Sequence, residues 1–278
     1  MLSIHVIIFC ITVAAGYFLT PFFIELFSKG RALAKNFRGE SVPQGIGIIF
    51  VLCSLPCYVL YMLFSKSETA ISLDFLAILM AVFTVSFAGF IDDMLGTRDT
   101  LGFKGHFKAL FLGKLTTGAL KAIVGFLAAL TVSLFLSPNI RELAVNVLVI
   151  ALSTNLLNLL DLRPGRAVKF YIFSLLVLGL GEALAGNFVN LTFFIPLVGV
   201  VLGYFPFDLK ARCMMGDAGS NVLGITVGIL AAMHLDFYEK IVLLVFLLLI
   251  HLFAEKYSLS DVIEHNRFLR YIDRLGRS

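Results

Sequence analysis

Charge and cysteine are both scarce in this sequence. Charged residues fill only 14% of the 278 positions, whereas hydrophobic residues fill 59% and the mean hydropathy is +0.97. These values exclude a soluble domain, in which about 25% of the residues are normally charged. The four cysteines form no scaffold, because Cys53 and Cys57 lie one helical turn apart in an apolar run, where a thiol acts as a small hydrophobic group.

Internal repeats and low-complexity tracts are also missing. The first apolar run lacks the basic start and small-residue cleavage site of a signal peptide, so we expect it to remain a helix. A bilayer-spanning helix needs about 20 mostly apolar residues, and windows near that length recur along the chain. They predict an all-α polytopic membrane helix bundle of about nine transmembrane helices, forming one domain over residues 1–278. The windows are residues 2–27, 45–64, 73–91, 110–135, 143–160, 170–184, 191–207, 221–235 and 240–253.

Basic residues are concentrated on alternate connections between these spans. The connections on one predicted side, together with residues 256–278, hold 19 of the 22 lysines and arginines. The other side keeps only Lys66, Arg141 and Lys240. The positive-inside rule therefore predicts that the N-terminus lies outside and the C-terminus in the cytoplasm. Residues 256–278 are predicted to form a cytoplasmic amphipathic tail.

Two adjacent carboxylates, Asp92 and Asp93, end the third span in the stretch SFAGFIDDMLG. A solvated helix end is one explanation, but acids at a helix C-terminus oppose the helix dipole. Neighbouring helical residues point about 100° apart, so the two acids can serve two targets, such as a metal-bound group and a second substrate. A divalent cation would offset both their repulsion and the dipole.

A polar stripe ends the fifth span, where Asn155, Asn158 and Asp161 lie at i, i+3 and i+6. Hydrogen bonding between helices explains two amides. Such bonding explains less well why the stripe ends in an acid at the membrane face that also carries Asp92 and Asp93. We therefore favour a binding role for these residues.

The segment MMGDAGSN, residues 214–221, opens the eighth span with glycines around Asp217. A helix N-terminus exposes free N–H groups and binds anions such as phosphate. Asp217 can hold the Mg²⁺ that a pyrophosphate requires. An ordinary N-cap, with Asp217 or Ser220 as the capping residue, is the alternative.

In combination these motifs resemble the polyprenyl-phosphate N-acetylhexosamine-1-phosphate transferases, glycosyltransferase family 4, whose members include phospho-N-acetylmuramoyl-pentapeptide transferase-like enzymes. The resemblance spans about residues 35–224. The stretch KNFR with Pro43 and Gly47 is similar to the family's first inner loop, and FIDDMLG is similar to its paired-aspartate motif. Asn155, Asn158 and Asp161 match its Asn-x-x-Asn-x-x-Asp motif, and MGDAGSNVLG is the best of the matches.

The resemblance implies a reaction in which polyprenyl phosphate attacks the sugar-proximal phosphorus of a UDP-activated amino sugar, releasing UMP, for cell-envelope glycan synthesis such as that of peptidoglycan. It implies Mg²⁺ as the cofactor, held by Asp217 with Asp92. It also implies that Asp92, Asp93 and Asp161 are catalytic. The implied substrate-binding residues are Lys35, Asn36, Arg38, Lys108, Asn155, Asn158, Arg163, Arg166, Gly216, Gly219 and Ser220.

This chain departs from the family pattern in two places. After Asp161 the family reads Gly-Leu-Asp-Gly-Leu, whereas residues 162–166 here read LRPGR, so Pro164 replaces an acid and two arginines flank it. The arginines lead us to expect a more anionic or differently placed donor. The histidine-rich last inner loop and tenth helix of the family are also not found, which leads us to expect a donor smaller than the peptidyl-muramoyl one.

Two other functions stay open. One is a non-catalytic relative that binds polyprenyl phosphate or nucleotide-sugar and regulates or scaffolds envelope synthesis. The other is a transporter, which would need its site near mid-bilayer, whereas the acids here collect at one face. The expected partners are the membrane, a UDP-activated amino sugar and polyprenyl phosphate, and nucleic acid is not expected. A homodimer is left open, and the expected location is a bacterial inner or plasma membrane with the site facing the cytoplasm.

Overall fold

A computed structural model describes residues 2–64, 72–96, 116–184 and 189–277 of the chain. A short antiparallel hairpin, β1 (Leu33–Lys35) and β2 (Ser41–Pro43), and a 3₁₀ turn (Ile46–Ile48) follow the first helix. The helices are α1 (Leu2–Lys29), α2 (Ile49–Phe64), α3 (Leu73–Leu95), α4 (Thr117–Leu136), α5 (Ile140–Leu160), α6 (Arg166–Leu184), α7 (Val189–Phe193), α8 (Ile195–Leu209), α9 (Gly216–His234), α10 (Phe237–Lys256), α11 (Leu259–His265) and α12 (Arg267–Arg274).

Apolar helices account for most of the described chain. Seven of them, α1, α3, α4, α5, α6, α9 and α10, are long and apolar enough to cross a membrane. Two shorter apolar helices, Ile46–Leu60 and Ile195–Leu209, coincide with the other two predicted spans. The prediction of an all-α polytopic bundle is therefore confirmed, while the number of crossings and the side on which each terminus lies stay predictions.

Several boundaries differ from those expected from hydropathy. Helix α6 begins at Arg166 and α9 begins at Gly216, each several residues before the apolar window. Polar and glycine residues at helix ends lower the mean hydropathy, so an apolar window starts too late. The seventh span is divided at Phe194, where Pro196 in the first turn of α8 favours a new helix start. The hairpin was not predicted, because strands of three residues are too short to show a pattern.

Helix α9 is the centre of the bundle. Every residue from position 218 to position 232 is buried, and the helix packs against α3, α5 and α6. Gly224 allows α5 to approach closely, since a Cβ atom there would lie 2.6 Å from the carbonyl oxygen of Ser153. Small residues at helix contacts of this kind are typical of membrane bundles.

The two ends of the bundle differ in their polar residues. At one end, buried Lys240 at the start of α10 donates to Glu142 at the start of α5, with 2.9 Å between Nζ and Oε2. At the other end of α5 lie Asn158 and Asp161, together with the ends of α3 and α9 that carry the acidic motifs. The three predicted acidic motifs therefore converge at one end of the bundle.

The tail after α10 is anchored to the start of α6. Asp273 of α12 is buried and accepts hydrogen bonds from Arg166 Nε at 2.7 Å and Nη2 at 3.3 Å. Arg277 pairs with the same carboxylate at 3.1 Å and donates twice to the carbonyl oxygen of Pro164, at 3.1 and 3.0 Å. Burial opposes ionisation of Asp273, but the hydrogen bonds from both arginines outweigh it and lower the pKa of the carboxyl group.

Replacing Asp273 by Asn leaves Arg166 without its carboxylate partner in a buried position. Removing one member of a buried ion pair costs roughly 3–5 kcal/mol, so we expect the tail to undock and its amides to exchange at least about tenfold faster. Hydrogen exchange of residues 259–277 in the purified protein, followed by mass spectrometry, measures this. Glu264→Gln is the matched control, because it removes the exposed pair with Arg274. Equal acceleration in both variants would contradict the anchor.

Acid should undock the tail in the same way. The pKa of Asp273 is lower in the docked tail than in an undocked one, so its contribution is complete above the ordinary carboxyl pKa of about 3.9. It is lost as pH falls through the lowered value. Amide hydrogen exchange, corrected for its intrinsic pH dependence, should therefore show a protected tail at neutral pH. The tail should lose this protection at a pH below the lowered pKa of Asp273. Unchanged protection across that range would be inconsistent with an ionised anchor.

Candidate active site

Carboxylates from α3 and α9 meet around the ammonium group of Lys121 on α4. Lys121 Nζ lies 3.2 Å from Asp92 Oδ2 and also pairs with Asp217 Oδ2. The three side chains are 18–23% exposed, so the cluster is reachable from solvent although most of its surface is covered. Two acids therefore share one cation in a partly buried position, where an unshared negative charge would be costly.

Asn158 of α5 completes this cluster. In the amide orientation that satisfies its neighbours, Nδ2 donates to Asp217 Oδ1 at 2.6 Å and to Ser220 Oγ at 3.1 Å. Its Oδ1 accepts from Lys121 Nζ at 3.2 Å. Four helices thus contribute one polar side chain each, and we call Asp92, Lys121, Asn158 and Asp217 the acidic cluster.

Asp93 points away from Lys121 and towards the start of α9. Its Oδ1 accepts from the backbone N–H of Asp217 at 3.0 Å, and its Oδ2 accepts from that of Ala218 at 2.9 Å. Gln44 Nε2 donates to the same carboxylate at 2.7 Å. Two of the free N–H groups of this helix end, which the sequence suggested for a substrate phosphate, are therefore bonded to the protein's own carboxylate.

Gly216 makes this docking of Asp93 possible. Its φ is +67°, a conformation that side chains rarely adopt, and a Cβ atom there would lie 2.5 Å from Asp93 Oδ1. Gly219 and Ser220 are buried in the first turns of α9. These residues form the packed start of α9, and direct contact with a substrate stays a prediction for them.

Asp161 lies beside the acidic cluster but outside it. Burial raises the pKa of this carboxyl group well above its ordinary value, and the charges of Asp208, Asp217 and Asp93 add to the increase. Within the described ranges, no group of three or more acids, histidines or cysteines is arranged to hold a metal ion. A catalytic role for Asp161 therefore stays a prediction.

Asp208, at the end of α8, was missed by the sequence reasoning. It is buried and accepts from the backbone N–H of Gly165 at 2.7 Å and from the Tyr204 hydroxyl at 3.3 Å. It holds the loop that follows Asp161. A single acid after an apolar run has no motif around it, so nothing in the sequence marked it.

The turn between β1 and β2 meets the loop after α5 at the ring of Phe37. The guanidinium groups of Arg38 and Arg163 each lie 5.1 Å from the centre of that ring. Asn36 is buried and shapes the hairpin, because its Oδ1 accepts from the backbone N–H groups of Arg38 at 2.8 Å and Glu40 at 3.0 Å. The structure therefore brings Arg38 and Arg163 together and uses Asn36 within its own turn.

The remaining predicted site residues are dispersed. Lys35 is exposed on β1, and Asn155 is half-buried one turn before Asn158. Arg166 is turned to the tail carboxylate of Asp273 rather than to the acidic cluster. Lys108 lies outside the described residues. Lys121, which takes the central position, was recognisable only as one of two lysines, with Lys114, inside the predicted fourth span.

The donor atoms of the acidic cluster fit a hard divalent cation. Carboxylate and amide oxygens are the ligands that Mg²⁺ prefers, and Asp92 and Asp217 direct oxygens at one point. The ammonium group of Lys121 supplies positive charge at that point. The two carboxylates therefore have the ligand type and the convergence that a bridging cation requires.

Comparisons with known proteins agree on one family. The model of glycosyl transferase family 4 matches residues 75–235. The phospho-N-acetylmuramoyl-pentapeptide-transferase of Thermotoga neapolitana is 30% identical over 246 residues, which cover 81% of this chain and 76% of the relative. The protein of the same name from Nautilia profundicola is 27% identical over 78% of this chain and 70% of its own length. Together with the apolar helices, these relatives identify a multi-pass bacterial membrane protein.

Gly216→Ala should destabilise the start of α9. The left-handed conformation costs an L-residue roughly 1–2 kcal/mol, and the new methyl group would displace the Asp93 carboxylate. We expect the unfolding temperature in detergent to fall by several degrees. Gly125→Ala is the matched control, because a Cβ at this α4 position meets nothing within 4 Å. Its unfolding temperature should stay level or rise, and similar losses in both variants would argue against the role of Gly216.

Proposed function

Because the chain belongs to glycosyl transferase family 4, we propose that it transfers a phospho-amino-sugar from a UDP-activated amino sugar to polyprenyl phosphate. The products are a polyprenyl-diphospho-sugar and UMP. The observation that carries this proposal is the convergence of Asp92, Lys121, Asn158 and Asp217 from four helices at one end of the bundle.

The position of the acidic cluster suits the two reactants. A nucleotide-sugar is water-soluble, whereas a polyprenyl chain is dissolved in the bilayer, so their phosphates can meet only at the membrane surface. The cluster lies where α3 and α5 end and α9 begins, which is such a surface position. We propose that this surface faces the cytoplasm, because the predicted connections at that end carry most of the basic residues.

In the proposed reaction, an oxygen of the lipid phosphate attacks the phosphorus that carries the sugar. A new P–O bond forms, and the P–O bond to UMP breaks with its electron pair leaving on UMP. A phosphate monoester has a second pKa of about 6, so the attacking phosphate is mostly dianionic at neutral pH. The protein therefore has to orient the phosphates and stabilise moving charge, and proton removal is not required.

Each member of the acidic cluster has a role in this proposal. Lys121 carries three N–H donors, and we assign them to phosphate oxygens when substrate replaces part of its present pairing. Asp92 orients the lipid phosphate, and Asn158 holds Asp217 through its amide. Asp93 acts as a positioning residue, because its oxygens already accept from the first N–H groups of α9.

Magnesium is the proposed cofactor, and Asp92 and Asp217 are the residues that would hold it. When bound, the ion neutralises diphosphate charge and makes the phosphorus more electrophilic. Lys121 supplies a second positive charge beside the same carboxylates. Two observations bear on the identity of the sugar. The relatives are named for a muramoyl-pentapeptide donor, whereas Arg38 and Arg163, stacked on one ring, add a pair of cations at the same end of the bundle.

Release of UMP tests the reaction directly. Purified protein with Mg²⁺, undecaprenyl phosphate and a panel of UDP-N-acetylhexosamines, including the muramoyl-pentapeptide donor, should release UMP with at least one donor. Asp217→Asn should lower kcat by about 100-fold or more, the usual effect of losing a preorganised charged group. Asp74→Asn is the matched control, because it changes an exposed acid at the opposite end of α3 from Asp92.

Three results would overturn this proposal. Absence of UMP release with every donor would contradict catalysis and favour a binding or scaffolding relative. Release that survives Asp217→Asn would contradict the assignment of the acidic cluster. An equal loss in Asp74→Asn would indicate general damage rather than loss of a catalytic group.

Lys121→Gln tests the metal assignment without turnover. The variant leaves Asp92 and Asp217 facing each other without their shared cation, so its unfolding temperature in divalent-free buffer should fall. Mg²⁺ should then raise the unfolding temperature of Lys121→Gln more than that of the wild type, because it restores the missing positive charge. Lys29→Gln, which breaks an exposed pair with Glu25, should respond to Mg²⁺ like the wild type. Identical Mg²⁺ responses in all three proteins would count against the assignment.

A further inference from the structure

Helix α12 has an apolar face that no described part of the protein covers. At 100° per residue, Phe268, Leu269, Tyr271, Ile272 and Leu275 fall on one side of the helix. All five are exposed, and the side chains of Phe268 and Tyr271 retain more than two thirds of their accessible surface. Asp273 is the one buried residue of this helix. So large an apolar face on an eight-residue helix indicates a second surface against which it packs.

Arginines border this apolar face. Arg267, Arg270 and Arg274 lie along one flank of α12, on the side of the helix that adjoins Tyr271. Arg274 pairs with Glu264 of α11, and Arg267 is exposed. An open cleft of about 550 Å³ is lined by the three arginines with Tyr271, Leu275 and Gly276. Cationic and aromatic side chains therefore surround a concave surface that is open to the outside.

The anchor at Asp273 fixes which way this surface faces. Its carboxylate is held by Arg166, and Lys169 Nζ donates to the carbonyl oxygens of Ile272 at 3.0 Å and Asp273 at 2.8 Å. Arg166 and Lys169 form the first turn of α6, a helix long and apolar enough to cross the bilayer. A helix bonded to that turn lies at the level where the bilayer meets water, with its apolar face turned away from the core.

We propose that α12 is an interfacial helix that binds anionic phospholipid headgroups, with its apolar face in the acyl boundary and Arg267 and Arg270 on the phosphates. Charge complementarity favours anionic phospholipid as the binding partner. The flank of α12 presents three arginines, and anionic lipids give the membrane surface a negative potential. An apolar face bordered by basic and aromatic residues is also the pattern of helices that lie in the interface. The acids of α11, Asp261 and Glu264, precede the helix, and Glu264 is already paired.

The chain contains no tryptophan, so a single substitution provides a specific reporter. Tyr271→Trp places the sole indole on the exposed face of α12. The full-length variant is reconstituted in bilayers of phosphatidylcholine with phosphatidylglycerol, in which one lipid or the other carries brominated chains. We expect blue-shifted emission and quenching by brominated phosphatidylglycerol that exceeds quenching by brominated phosphatidylcholine by about twofold at equal mole fraction.

Charge variants identify the residues responsible. Adding Arg267→Gln and Arg270→Gln to Tyr271→Trp should remove the preference for phosphatidylglycerol while the emission stays blue-shifted, because the apolar face is unchanged. The matched control adds Lys29→Gln and Lys210→Gln, which remove two exposed charges from other predicted inner positions. The control should retain the full preference.

Several outcomes would overturn the inference. Equal quenching by the two brominated lipids would contradict anionic headgroup binding, and water-like emission would contradict an interfacial position. Emission that shifts with the protein-to-lipid ratio would identify a second copy of the chain as the occupant instead. Loss of the preference in the Lys29→Gln and Lys210→Gln control would assign it to total charge rather than to α12. The readout uses no turnover, so its failure is separate from any failure of the proposed reaction.

Discussion

Carboxylates held at a membrane surface must be paired, and this requirement joins the central helices. Asp93 of α3 accepts the first N–H groups of α9, while Asp92 and Asp217 share Lys121 of α4. An unpaired charge in such a position costs several kcal/mol. The three helices therefore cannot separate at this end without exposing a charge, and the acidic cluster is held by the same bonds that hold the bundle.

The two adjacent acids have different partners. Asp92 faces Lys121, and Asp93 faces the start of α9, because neighbouring positions on a helix diverge by about 100°. The loop after Asp161 shows a similar division. Arg163 lies at the ring of Phe37, whereas Arg166 holds the tail through Asp273. The segment LRPGR is therefore bonded to the tail through Pro164 and Arg166.

Hydropathy predicted an all-α bundle of apolar helices and the order of these helices, because a helix that lies in lipid carries apolar side chains along most of its length. The number of crossings stays a prediction. The motifs also predicted that Asp92, Asn158 and Asp217 meet at one end of the bundle. Lys121 was predicted less well, since the two lysines of the predicted fourth span, Lys114 and Lys121, form no periodic pattern and the partners of Lys121 are distant in the chain. The pair of Arg166 and Asp273 is separated by 107 positions, and no local pattern records a contact of that kind. The role expected for Lys108 stays a prediction outside the described residues.

The hydrogen bonds that Arg277 donates to Pro164 also determine when the tail can dock during biosynthesis. The two residues are 113 positions apart, and a ribosome adds roughly 5–20 residues per second. The loop beside Asp161 therefore emerges roughly 6–23 seconds before the arginine that closes over it. During that interval the nascent chain already contains Asp92 and Asp161 but lacks Arg277, which bonds to the loop beside Asp161. The tail can therefore dock on this loop only after residue 277 has been synthesised.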